Sequence, residues 1–148
     1  MFIYKNGRFG FGSVSFALPE DIAVDTAYTD VIIDGFCLRP LNKSFEVSIS
    51  CSDSGMKAYD EIASVINDGA GYKLIGEILP ISYGGLNGYM VKYENESALN
   101  EEYAFDTPNG GEYDLIDIFV SIKKRSNTYD EAYKNRVVSE ILNNIKSN

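Results

Sequence analysis

Eight carboxylates fall between Glu94 and Asp117, at Glu94, Glu96, Glu101, Glu102, Asp106, Glu112, Asp114 and Asp117, with no lysine or arginine among them. Grouped carboxylates can act as general acid and base, can ligate a hard cation, or can steer a cationic partner. The first role needs two groups at a fixed gap across a cleft, and the second needs oxygens converging on one loop. Nothing in the spacing shows such convergence, and no EF-hand pattern is present. The run therefore reads as hairpin surface, either plainly solvated or used to dock a basic protein. In the docking reading its contacts are Glu94, Glu96, Glu101, Glu102, Glu112, Asp114, Tyr103 and Tyr113.

Asp117 stands apart, because it lies between Leu115, Ile116, Ile118 and Phe119. If the strand that carries it is covered on both faces, its carboxyl must be paired, hydrogen-bonded or protonated, since an unpaired carboxylate in a core is costly. The ordinary alternative is an exposed position on an uncovered patch of sheet. Eleven tyrosines are the other peculiarity, with Tyr89, Tyr93, Tyr103 and Tyr113 all in the second half. Tyrosine suits a half-wet sheet face as well as an interface.

The chain has no histidine. That removes Ser-His-Asp and Cys-His nucleophile arrangements, imidazole bases and most zinc or iron sites. Gly7-Arg8-Phe9-Gly10-Phe11-Gly12 matches neither phosphate-binding spacing and reads as a flexible lead-in to the first strand. No cofactor and no catalytic residue is expected. A net charge of −9 repels nucleic acid and anionic lipid, and the short basic run Lys123-Lys124-Arg125 is too small a footprint to reverse that. Two cysteines, Cys37 and Cys51, are too few for a disulfide framework and read as buried thiols of a cytoplasmic protein. With no apolar run of signal-peptide or membrane-spanning length, the chain is expected to be soluble and unprocessed.

The elements that must position these residues follow from periodicity. Phe9 to Leu18 alternates at period 2 and ends at Pro19; Val31 to Arg39 and Phe45 to Cys51 form the next two strands, with Cys37 facing Glu46 or Val47 and Cys51 facing Ile32 or Ile33. A helix then starts at an N-cap of Asp53 or Ser54, carries Met56, Tyr59, Ile62, Ala63 and Ile66 on one face, and stops at Asn67-Asp68-Gly69. Strands return at Tyr72 to Ser82, around Tyr89 to Tyr93, at Glu102 to Asp106 and at Glu112 to Lys123, the last apolar on both parities and so central. A final helix opens at a Thr128 and Glu131 capping box and carries Val137, Val138, Ile141, Leu142 and Ile145 on one stripe. Consecutive strands predict one α+β domain over residues 1–148, an antiparallel sheet flanked by helices.

Val14-Ser15-Phe16-Ala17-Leu18-Pro19-Glu20 resembles the opening strand and turn of the PsbP-like family, which has bacterial members, and Ser139-Glu140-Ile141-Leu142-Asn143-Asn144-Ile145 resembles its final helix. The resemblance implies an α/β/α sandwich used mostly as a non-enzymatic binding module. It supplies no catalytic residues, and the metal sites of plant members rest partly on histidine. The expected function is a non-catalytic domain that recognises a protein through a sheet face or the acidic hairpin, the latter suiting a basic partner. The rivals are a small-ligand carrier with an apolar pocket and a carboxylate-dependent hydrolase.

Overall fold

A computed structural model describes residues 2–5, 8–11, 14–20, 22–29, 33–40, 44–67, 71–108 and 113–147, with the side chains of 2–5, 11, 22–29 and 33–40 outside that description. In chain order the elements are β1 (Phe2–Lys5), β2 (Arg8–Phe11), β3 (Val14–Ala17), β4 (Ile22–Thr29), β5 (Ile33–Pro40), β6 (Phe45–Ser52), α1 (Ala58–Asn67), β7 (Lys73–Tyr83), β8 (Leu86–Glu94), β9 (Ala98–Asp106), β10 (Leu115–Lys123), α2 (Glu131–Asn143) and β11 (Lys146–Ser147). Every described pairing is antiparallel. The fold is α+β.

The strands make two sheets rather than the single sheet expected. A seven-stranded sheet runs in the order β4-β5-β6-β10-β9-β8-β7, and a four-stranded one in the order β1-β2-β3-β11. The lead-in expected to be flexible thus contributes strands. Lys5 pairs with Arg8 across Asn6-Gly7, a dipeptide whose chemistry favours a tight hairpin. Hydrophobic alternation alone cannot assign a strand to a sheet, so Val14 and Phe16 looked like the first members of the main one. The β5–β6 hairpin pairs Cys37 with Ser48 and Asp34 with Cys51, one or two residues beyond the expected register, and Cys51 is a buried thiol.

β10 lies at the centre of the large sheet, and its two parities feed two cores. Ile116, Ile118, Val120 and Ile122 join Phe45, Val47 and Ile49 of β6 under Val137, Val138, Ile141 and Leu142 of α2. Val14 and Phe16 of the small sheet are in the same cluster. On the opposite face, Leu115 joins Ala104, Val91 and Tyr93 under Ala58 and Ile62 of α1. The helices therefore cover opposite faces. Four buried aliphatic side chains hold α2, whereas α1 commits Ala58 and Ile62, and full burial of one such large side chain stabilises by about 1.5–3 kcal/mol.

Both helix starts differ from expectation. Instead of a local cap at Asp53 or Ser54, α1 begins at Ala58, whose amide donates to Asp106 Oδ1 of β9 at 2.8 Å. Gly55, at φ +73°, donates its amide to Asp114 Oδ2 at 2.8 Å. The sheet caps this helix, so its start was invisible to local pattern. For α2 the N-cap is Asp130, accepting from the Tyr133 amide at 3.1 Å, while Thr128 bonds Ser126. Asp130 holds its β-region φ of −120° and sits three residues before that amide, which is cap geometry.

The β7–β8 turn is at Gly84-Gly85, with φ of +57° and +83°. A Cβ on Gly84 would lie 1.8 Å from the Ile145 carbonyl oxygen, and Ser147 donates to the Gly84 carbonyl at 3.1 Å. Glycine there serves both the turn and the docking of the chain after α2.

Candidate functional site

The strands disperse the acidic run. Glu94 pairs with Lys124 at 2.8 Å, and that bond holds its carboxyl below the usual range. Glu96 is exposed in the β8–β9 turn, Asp106 caps α1, and Asp114 accepts from the Gly55 amide in the segment before that helix. Glu101, Glu102 and Tyr103 are buried in β9, and Tyr113 is half-buried against the α2-side core. Glu112 lies outside the described residues. Burial takes Glu101, Glu102 and Tyr103 out of the expected docking surface, because β9 is an interior strand of the sheet.

Glu101 and Glu102 point to opposite faces because strand side chains alternate. Glu101 meets the buried Lys134 ammonium from α2, and its other oxygen accepts from the Tyr103 hydroxyl at 2.7 Å. Burial, then the charge of Glu101, pushes the Tyr103 hydroxyl far up. On the α1 side, Glu102 stands opposite Phe119 and Asp117 opposite Ala104, so the two acids are diagonal neighbours on adjacent strands. Their carboxyls are hydrogen-bonded to each other, and the Tyr93 hydroxyl donates to Glu102 Oε2 at 3.2 Å.

Among the described residues, no cation is among the groups that shift either carboxyl. Burial first, and then the charge of Glu102, pushes the Asp117 carboxyl well above the carboxylate range. Burial also raises Glu102, against the lowering effect of its hydrogen bonds from Asp117 and Tyr93. A hydrogen bond between two carboxyls requires a proton on one of them, and burial favours keeping it. Asp117 Oδ1 is shut off from solvent and has no hydrogen-bond partner among the described residues. The carboxylate of Glu61 on α1 adds a small further push in the same direction on both acids.

A separate feature lies on the β7–β8 hairpin, next to Asp106 of β9. A surface groove of about 430 Å³ is lined by Pro80, Ile81, Ser82, Asn87, Gly88, Tyr89 and Asp106. Tyr59, half-exposed on the first turn of α1, packs edge-on against Tyr89 with centroids 5.1 Å apart. No cation lines this groove, and Asp60 is exposed beside Tyr59. Sequence reading missed Tyr59, Glu61 and Lys134, since each acquires its partner through helix docking. The surplus of tyrosine was the available signal for the first.

Among the described residues, no group of histidine, cysteine, aspartate or glutamate is arranged to hold a metal ion, and no helix is long and apolar enough to cross a membrane. No family model and no curated protein matches the chain. It is similar to a crystal structure from Bacteroides thetaiotaomicron VPI-5482 at 1.50 Å resolution, with 12% identity and a TM-score of 0.43 over 92% of this chain. The chain spans 45% of that structure's length.

Proposed function

We propose that this protein is a non-enzymatic domain that binds a basic segment of another protein at the groove on the β7–β8 hairpin, beside the first turn of α1. The observation that carries the reading is the Tyr59–Tyr89 pair beside an acid-bearing groove with no cationic lining. Tyrosine rings supply contact area at low entropic cost and attract lysine or arginine over their faces, while Asp106 and Asp60 set the sign of the partner. The groove replaces the acidic hairpin as the contact surface. Kinship with the PsbP-like family belongs to the same proposal, and a helix on each face of an antiparallel sheet supports it. A cytoplasmic setting is supported by the buried thiol of Cys51. A hydrolase reading is less well supported, because the Glu102–Asp117 pair is not among the groove residues.

Fluorescence anisotropy with a lysine- and arginine-rich peptide and a glutamate-rich peptide tests this. The basic peptide should bind more tightly, weaken as salt rises, and lose roughly tenfold or more with Tyr59→Ala, the scale of an interface hot spot. Equal binding of both peptides, or an unchanged Kd for Tyr59→Ala, would remove the groove from consideration.

A further inference from the structure

We infer that the groove takes its basic segment from a second copy of this chain, the exposed turn Lys123-Lys124-Arg125 that follows β10, so that copies join head to tail. This rests on the reading of the groove as a site for a basic segment. Lys123-Lys124-Arg125 is the only consecutive run of basic residues in the sequence, and all three are exposed. The turn lies at the far end of the sheet from the groove. Register fixes this, because Lys123 pairs with Ala98 at the start of β9 and Leu115 pairs with Asp106 at its end. The extended strand from Ala98 to Asp106 spans about 26 Å at the usual rise of about 3.3 Å per residue. A molecule cannot reach its own groove with this turn, whereas a neighbour can.

The two ends differ in charge. Lys73, Lys92, Lys123, Lys124 and Arg125 are exposed towards the turn end, against Glu94 and Glu96. Asp53, Asp60, Asp106 and Asp114 lie towards the groove end, against Lys57. The connecting sequences have the same signs: 41–43, between β5 and β6, contains Lys43 and no acid, and 109–112, between β9 and β10, contains Glu112 and no lysine or arginine. A net charge of −9 makes two copies repel as wholes. At physiological salt the Debye length is about 8 Å, so charges a sheet length away are screened and the touching ends decide the sign.

The contact is small. A groove of about 430 Å³ falls in the range of about 300–1,000 Å³ that holds a small ligand, so it accepts the side chains of a turn rather than the face of a domain. Tyr59 and Tyr89 offer aromatic surface to an ammonium or guanidinium beside Asp106. An interface of this size gives weak association, seen at high protein concentration. Because turn and groove are different patches, the contact is heterologous, and growth does not stop at two copies.

Light scattering at physiological salt, over a concentration series up to about 1 mM, tests this. The wild-type average mass should rise with concentration past that of a dimer. A turn variant, Lys123→Glu with Lys124→Glu and Arg125→Glu, and a groove variant, Tyr59→Ala with Asp60→Lys, should each weaken self-association roughly tenfold or more. Mixed, the turn variant supplies an intact groove and the groove variant an intact turn, so the two should pair one to one and stop there. A wild-type mass that stays monomeric, unchanged association in either variant, or a mixture that behaves as the sum of its parts overturns the inference. Should the triple variant fail to fold, Arg125→Glu alone takes its place in the same mixture. If association fails while the basic peptide still binds, the groove reading stands without this partner; if the peptide fails too, both fall.

Discussion

Glu101 and Glu102 are chain neighbours on one strand, both buried, and their surroundings solve the same problem in opposite ways. On the α2 face the charge is kept and matched, with a lysine ammonium on one oxygen and a tyrosine hydroxyl on the other. On the α1 face a second carboxyl is hydrogen-bonded to the first, and burial pushes both upward. The first arrangement depends on both partners being ionised and ties α2 to the sheet. The second ties two strands to each other beneath α1. The same residue type thus fastens a helix on one face and a neighbouring strand on the other.

The comparison breaks first at its strongest point. Glu101→Gln strands a buried ammonium without its counter-charge, and the loss expected from a broken buried pair is about 3–5 kcal/mol. Glu102→Gln removes no counter-charge and leaves an acceptor for the Tyr93 hydroxyl, so it should stay within about 1 kcal/mol of wild type at neutral pH. Urea denaturation of both variants gives the two numbers side by side. Equal losses would mean that the faces do not differ in kind.

A smaller effect sharpens the contrast between the helix starts. Asp106→Ala and Asp130→Ala each remove a cap, worth about 0.5–2 kcal/mol. The first should lower hydrogen-exchange protection in α1 alone and the second in α2 alone. Thr128→Ala, two residues before the actual cap, should change the denaturation midpoint by less than about 0.5 kcal/mol. A Thr128 effect as large as that of Asp130 would move the start of α2 back to the capping box.

The smallest effect concerns the exposed pair Arg136–Glu140, one helical turn apart at 3.1 Å. An Arg136→Ala and Glu140→Ala double-mutant cycle should give a coupling of about 0.3–0.5 kcal/mol, dissolving in salt. A coupling near that of Glu101 with Lys134 would contradict the weight placed on burial.

How much of this was legible varied with the distance over which partners meet. The central strand was readable because Leu115 to Ile122 is apolar on both parities, and Asp117 was conspicuous for interrupting it. The apolar stripe of α2 was equally plain. The burial of Glu101 was not, because its partner Lys134 lies on a helix one strand and a turn later, and a glutamate pair in a sequence looks the same wet or dry. The cap of α1 comes from Asp106 on a strand, beyond any local motif. The hairpin of β1 and β2 carried a readable Asn6-Gly7 signal that the glycine-rich context masked.

The pairing of β3 with β11 sets the order in which the protein can be made. Val14 emerges early in synthesis, yet Ser15 pairs with Lys146 and Phe16 packs in the cluster that holds Ile141. Ser15 must wait for Lys146, so the small sheet cannot be completed before that residue has been made. Such a distant contact raises the mean sequence separation of the fold and slows its final step, because a long loop must close before the contact repays it. Until then Val14 and Phe16 are bare apolar strand, the kind of surface that chaperones hold and that aggregates when they do not.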